Sequence, residues 1–551
     1  MSMARAREAP LYEEPAAPHL GALNGSHCAS RVPPCRLRGR LLRVARFPAI
    51  LAVLVLGACR TEDLLGRGVL VVGLESSPAN LDPRFAADAA SSRIDQLLHR
   101  GLFAKDGSGE VTPDLVERWT MPDPVTYEFR IREGVRFAGG RPLGPEDVLY
   151  TFRSLLDPSL GSPLRGAYRN VLAVDCPDPR SVRFRLNGPN ASFLVSLDVG
   201  IVPGGGGAEG AAAAAPSVPA GAGPFRLLSW NLGYEVRLGV NPDYSGKPAR
   251  LQELRFRIIP DNTVRILELR KGTVHLVQND FQPEVLPMLE REGCFRILKG
   301  PGTTYSYLGF NLKDPVLRCR EVRHAIAHAI DRRAIIDHLL GGLAVPATGV
   351  LSPMHWAYEP GVKQYAYDPE RAKALLEAAG FPDPDGDGPA TRFSLTCKTS
   401  QNDLRRRIVE AIQGQLAAVG IEIKIRSYEW GTFFSDIRKQ NFQLYTLSWV
   451  GVSDPEIYSY LFSSESVPPE GANRGYYENP QVDALLREAG SVSDRSARKE
   501  LYGRLQKILA EDLPYVSLWY GMNVAVMDGR IRGFELRPNG DLDSLKDVWI
   551  E

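Results

Sequence analysis

The chain has 551 residues, with 66 basic against 65 acidic side chains and a formal charge of +1, a balance that argues against nucleic acid or an acidic membrane face as partner. Its composition, 44% hydrophobic and 24% charged, is that of an ordinary globular protein. A chain this long exceeds one compact core, so two or three domains are expected.

Residues 1–35 are rich in Pro, Ala and polar side chains, show no apolar periodicity and read as disordered, as expected of a start placed too far upstream. Next comes CRLRGRLLRVARF, with Arg36, Arg38, Arg40, Arg43 and Arg46 and no acidic residue, followed by Pro48–Cys59, PAILAVLVLGAC. A basic lead, a short apolar run and small residues are the three parts of a secretory signal. The run falls short of the about 20 apolar residues that span a bilayer. Leu56-Gly57-Ala58-Cys59 resembles the bacterial lipobox, which implies that Cys59 is lipidated and starts the mature protein, tethered to a membrane outside the cytoplasm. A buried strand with an incidental cysteine is the competing reading. Among the later cysteines, Cys176, Cys294, Cys319 and Cys397 are widely spaced with no C-x-x-C pair, which argues against zinc and leaves one or two disulfides open.

Val69–Leu74 is a continuous apolar run read as a buried strand, and Ser91–His99 has helical spacing. Tyr127–Arg132 alternates as a strand, and PEDVLYTFRSLL opens on Pro145, where a missing N–H is harmless. Gly204–Ala222 is low-complexity and reads as a surface loop or linker. Strands return in PFRLLSW, YEVRLGV and LQELRFRIIP, and DNTVRILELRKG runs from Asp261 as N-cap to Gly272. After the strand YSYLGFNL, REVRHAIAHAIDRRAIIDHLL is one amphipathic helical stretch, and DPERAKALLEAAGF a helix stopped at Gly380. RFSLTCK, LRRRIVEAIQGQLAAVG, IEIKIRSY, WGTFFSDIRKQ and FQLYTLSWV then alternate strand and helix, which argues for βα units with parallel pairs. Two helices and the strand YVSLWYGMNVAV close the chain.

Taken in order, NLDPRFAADAASSRIDQLLHRGLFAKDGSGEVTPDLVERW, YEFRIREGVRFAGGRPLGPEDVLYTF, GAGPFRLLSWNLGYEVRLGVNPDYSG, IIPDNTVRILELRKGTVHL, YLGFNLKDPVLRCREVRHAIAHAIDRRAI, YDPERAKALLEAAGF, LAAVGIEIKI and NPQVDALLREA resemble the extracytoplasmic solute-binding proteins of ABC importers, of the peptide/nickel-binding family 5. The resemblance implies an α/β, two-lobed, type II periplasmic-binding-protein-like fold with an extra subdomain on the first lobe. On that basis 1–58 is leader and signal, 59–103, 199–307 and 515–551 form the first lobe, 104–198 the extra subdomain and 308–514 the second lobe. The chain would cross the hinge near Thr303–Asn311 and again near Asp512–Ser517.

The tryptophans of EWGTFF and LSWVG, Trp430 and Trp449, resemble a feature of the family's oligopeptide binders. The resemblance implies that Ser448, Trp449, Val450 and Gly451 offer backbone to an extended peptide, as an added strand. Trp430 would wall a side-chain pocket, the loop Ser76-Ser77-Pro78-Ala79 would pair from the other lobe, and Trp519 and Tyr520 would add aromatic wall. The competing reading of each tryptophan is core. The family's peptide binders anchor the ligand's amino group on an aspartate where this chain has Val452. Asp454 is then either the replacement carboxylate or the cap of PEIYSYLF, and both readings stand.

His324 and His328 sit at i and i+4, a spacing open to metal, with structural histidines favoured. Asp383–Gly388 resembles half a calcium loop, but Ser394 stands where a bidentate Glu is needed, so an acidic turn is favoured. Arg474, in GANRGYY, could meet an anion, with a solvated loop favoured. No G-x-S-x-G, H-E-x-x-H, S-x-x-K or Walker motif is present, so neither enzyme chemistry nor a cofactor is expected. The resemblance implies a monomeric receptor that passes a peptide-like solute to an ABC permease with a cytoplasmic ATPase. A nickel chelate or other polar solute, and sensing without transport, are the alternatives.

Overall fold

The computed structural model describes residues 63–106, 110–204, 218–279, 281–386, 388–469 and 471–551. The leader, the signal with Cys59, most of the low-complexity segment 204–222 and Asp387 of the acidic turn lie outside the described residues.

Among the described residues the main sheet has eleven strands. Its order is Ile421–Tyr428, Phe393–Ser400, Leu444–Trp449, Phe295–Phe310, Tyr515–Asp528, Leu276–Gln278, Val69–Leu74, Glu253–Ile258, Glu235–Val240 and Phe225–Asn231, with Ala344–Pro346 beside Tyr515–Asp528. Parallel pairing falls in the alternating stretch 393–449, where it was predicted, and also at Val69–Leu74, which was read only as a buried strand. Phe393–Ser400 pairs in parallel with Ile421–Tyr428 and Leu444–Trp449, and Val69–Leu74 with Glu253–Ile258 and Leu276–Gln278. All six residues of Val69–Leu74 are buried, as befits a parallel strand covered on both faces.

The two long antiparallel strands join the halves of the molecule. Tyr305–Gly309 pairs with the start of Tyr515–Asp528, and Phe295–Pro301 with its end, with a register shift between Pro301 and Tyr305. Two apolar cores lie on one side of that shift, built from residues 305–520, and two on the other, built around Val69–Leu74 and Val524–Met527. A separate four-stranded antiparallel sheet (Val116–Asp123, Thr126–Ile131, Ser181–Leu186, Val171–Asp178) packs with helix Pro145–Leu156 around its own core of Phe129, Phe152 and Phe184.

Local signals set the helix ends. Asp261 accepts from Val264 N–H and Gly272 closes the helix at φ +72°, as predicted. The predicted single stretch 320–340 is instead two helices, Arg320–Ala329 and Arg332–Leu339. Asp331 leaves helical geometry and accepts from Ala334 N–H, so a cap in mid-run divides the stretch while the apolar period carries on. Cys176, Cys294, Cys319 and Cys397 are all unpaired, so the disulfides left open by the sequence do not form among them. No helix of the described residues is long and apolar enough to cross a membrane.

Candidate functional site

Strand Leu444–Trp449 pairs along its whole length with Phe310–Tyr305. On its other flank, Phe393–Ser400 reaches only Leu444 and Tyr445. From Thr446 to Trp449 no second strand pairs on that flank; Thr446 and Leu447 are buried and Ser448 and Trp449 half-buried, so it is the end of the strand that can offer main-chain groups to an added strand. Ser448 Oγ lies 2.8 Å from Ser306 Oγ on the paired side. Beyond the strand, Val450 is 61% exposed and Gly451 adopts φ +67°, facing the Asn539 carbonyl of the C-terminal segment.

Trp430 opens helix Trp430–Arg438, whose cap Glu429 accepts from the N–H groups of Gly431 and Thr432. Trp430 is 48% exposed and stacks on Phe434 at 5.5 Å and 10°, with the Arg405 guanidinium 5.5 Å from its ring. The Arg474 guanidinium lies 5.4 Å from the Phe434 ring and 4.9 Å from that of Trp449. The two tryptophans are thus linked through Phe434 and Arg474 in one aromatic–cation series.

A cavity of about 480 Å³ lies between the halves, within the range typical of small-ligand pockets. Asp106, Glu110 and Trp119 face it from the first half, Asn539 from the C-terminal segment, and Trp356 and Asp454 from the second half. Beside it the segment Asn190–Ser192 reaches across. Ala191 N–H donates to the Gly490 carbonyl at 3.0 Å, and Ser192 Oγ donates to Asp454 Oδ1 at 2.9 Å. Arg498 donates to Ser192 Oγ at 2.9 Å, and Arg495 pairs with Glu110 through a 3.0 Å contact. The Arg495 and Arg498 guanidinium groups lie 4.9 and 5.5 Å from the Trp356 ring. Burial lowers the pKa of His355, whose Nε2 lies 3.2 Å from the Ser453 carbonyl. Lys105 is held above the usual lysine value, mainly by Asp198, with Asp541 and Asp454 adding to it.

The structure gathers only part of the expected site on this cavity. Asp454 is there, but its Oδ1 already accepts from Ser192 and from Glu456 N–H, and its carbonyl accepts from Ile457 N–H. It therefore closes the turn ahead of helix Ile457–Phe462, whose N-cap is Glu456, and bridges the halves. Trp519 and Tyr520 do not wall the cavity. They are 5% and 2% exposed in the cores of the second half, where the Tyr520 hydroxyl lies 2.7 and 2.6 Å from the Gly349 and Leu351 carbonyls and has one proton to share between them. A long strand at the centre of a sheet presents both faces to cores, which is why these aromatic residues are buried. Ser76 is exposed, Pro78 buried, and Ser77 Oγ accepts from Gly233 N–H, so this loop lies against the hairpin 231–234.

His324 and His328 face different carbonyls, those of Glu511 and Ala366, and no group of metal-ligating side chains occurs among the described residues. Asp383 pairs with Arg392, and Asp385 accepts from Ala390 N–H. Arg474 does not sit in a solvated loop; it is 6% exposed. Sequence reasoning missed Ser192, Trp356, Arg495 and Arg498. Arg495 and Arg498 lie one turn apart near the start of a helix, and the i, i+3 spacing was the available signal.

A model of the bacterial extracellular solute-binding proteins, family 5, middle region, matches residues 110–468. The oligopeptide-binding protein AppA of Bacillus subtilis is 28% identical over 510 residues, which covers 88% of this chain and 92% of that protein. The structure of AppA in complex with a nonapeptide matches at TM-score 0.75 and 27% identity, over 88% of this chain and 99% of that one. DppA from Helicobacter pylori, in complex with the peptide STSA, matches at 0.73 and 27%, over 88% and 98%. NikZ from Campylobacter jejuni, in complex with Ni(L-His), matches at 0.75 and 24%, over 88% and 99%, a likeness of fold. The fold is accordingly α/β and two-lobed, of type II.

Proposed function

The chain belongs to the bacterial extracellular solute-binding proteins of family 5, and from that premise we propose that it is a lipid-anchored receptor which closes on a short peptide and hands it to an ABC permease. The sequence bounds 515–551 and 308–514 shift with the cores: the first lobe takes the early strands, the subdomain 104–198 and the chain after Tyr520, and the second lobe 305–520. The hinge then lies at the register shift between Pro301 and Tyr305 and opposite it between Tyr520 and Met522. Cys59 carries the lipid. The family is one of solute-binding proteins rather than enzymes, and closure alone is the signal. A solute that binds both lobes stabilises the closed form by its differential affinity.

The observation that carries the peptide reading is the unpaired flank of the strand end, half-buried at Ser448 and Trp449 and exposed at Val450. It offers main-chain groups to a ligand's main chain with little regard for side chains, as in other strand-addition sites. Trp430, Ser448, Trp449, Val450 and Gly451 form that wall from the second lobe, and exposed Ser76 faces it from the first, on a loop that Ser77 and Pro78 hold against the hairpin 231–234. Related proteins of known structure hold a nonapeptide and the peptide STSA.

Mass spectrometry of the solute retained by the purified protein tests the class directly, followed by calorimetry with a tripeptide and with nickel plus histidine. Tripeptide binding without chelate binding supports the proposal. Chelate binding alone overturns it.

A further inference from the structure

The loop that carries Arg474 is fixed. Asn473 donates to the carbonyls of Ser463 and Tyr477, and a Cβ on Gly475 would overlap the Phe310 carbonyl oxygen. Arg474 is 6% exposed, and no carboxylate of the described residues lies within ion-pair distance of its guanidinium. What it has is a 3.3 Å hydrogen bond to the Tyr307 hydroxyl and the faces of Trp449 and Phe434. A buried charge without a counter-charge is costly, and aromatic faces offset only part of that cost.

One further donor nearby is unmet. The indole Nε1–H of Trp449 is buried without a hydrogen-bond partner, while the Tyr445 hydroxyl lies among the Tyr307 and Tyr515 hydroxyls and the Arg474 guanidinium. Tyr307 holds the phenols together: its ring stacks on Tyr515 at 4.2 Å and meets Tyr445 edge-on at 5.8 Å. Burial opposes the charge on Arg474. Burial also drives the Tyr307 and Tyr515 phenols far above their usual range, so neither provides a phenolate. The phenols can turn lone pairs to the guanidinium, but its charge has no counter-charge among the described residues and the Trp449 indole N–H has no acceptor, and one negatively charged acceptor meets both.

We propose that Arg474, the Tyr307, Tyr445 and Tyr515 hydroxyls and the Trp449 indole form a monovalent-anion site, filled by a carboxylate of the bound solute. This inference rests on the peptide reading above and adds a preference to it: solutes that bring a carboxylate beside Trp449 are favoured over their amides. An amide turns N–H donors toward donors and leaves buried groups unpaired, the situation in which binding sites discriminate most strongly. A free halide offers the same chemistry from solution.

Calorimetry with C-terminally amidated Ala-Glu-Ala and Ala-Gln-Ala, and with Ala-Gln-Ala bearing a free C-terminus, separates side-chain from terminal carboxylates. At least tenfold tighter binding of one carboxylate peptide over the amidated Gln peptide is expected, and Arg474→Met should abolish the difference. Equal affinities in the wild type, with no chloride effect, overturn the proposal, as does a preference that persists in Arg474→Met. Chloride is tested by melting temperature at ionic strength held constant with sodium sulfate. A rise in the wild type that is lost in Arg474→Met supports the anion site and assigns it to free halide. That same rise, with no peptide of the set bound, supports the site and removes the peptide reading instead. Should Arg474→Met not fold, Tyr445→Phe with Tyr515→Phe keeps the charge and removes two donors. A several-fold loss of the carboxylate preference is then expected, and an unchanged preference overturns the assignment.

Discussion

Ser192 of the subdomain donates its hydroxyl to Asp454 of the second lobe at 2.9 Å while accepting from Arg498. One hydroxyl, 9% exposed in its residue, thus joins a carboxylate and a guanidinium beside the cavity. Hydrogen bonds to charged groups contribute about 1.5–3 kcal/mol each. Ser192→Ala is expected to weaken solute binding by about tenfold, which is about 1.4 kcal/mol, through a less stable closed form. Calorimetry measures it, and the melting temperature of the solute-free protein should move far less than the affinity.

A pH dependence follows from His275. Burial pushes it down to about 4, and its Nδ1 accepts from Val71 N–H at 3.0 Å, a bond that the protonated nitrogen cannot make. The unfolded histidine takes up a proton near pH 6.5 and the folded one does not. Stability is therefore full above pH 6.5 and falls as pH drops through about 4. This group alone accounts for about 3 kcal/mol over that window. Urea unfolding from pH 7 to 4 checks the slope, which His275→Gln should flatten.

Much of the fold was legible because its signals are local. Asp261 and Gly272 marked both ends of a helix, and alternating strand and helix announced the parallel pairs within 393–449. The strand Phe295–Phe310 was read only from Tyr305, since FRILKGPGTT has the composition of a loop and is held by its partner Tyr515–Asp528. The candidate site was less legible. Whether Trp519 and Tyr520 face a cleft or a core depends on which strands flank them, and no spacing encodes that. Ser192 meets Asp454 across 262 positions of chain, a pairing that only the assembled lobes create.

Asp331 divides what its apolar period presents as one helix. Asp331→Ala removes the acceptor for Ala334 N–H and is expected to cost about 1 kcal/mol, the usual worth of an N-cap. The melting temperature should fall by a few degrees with solute affinity unchanged, because the cap faces neither the cavity nor the open strand.

Lipid attachment makes a cellular prediction. Cys59→Ser is expected to move the protein from the membrane fraction to the soluble fraction and to end its labelling with palmitate. Unaltered fractionation and labelling would show that the anchor lies elsewhere.

Closure of the two lobes on a solute is tested most directly by small-angle X-ray scattering, with and without a peptide that calorimetry shows to be bound. The radius of gyration of Ser192→Ala, in which the open form is favoured, should fall when the peptide is added and reach the value of the liganded wild type. Superimposable curves with and without the bound peptide, in both proteins, would contradict the account.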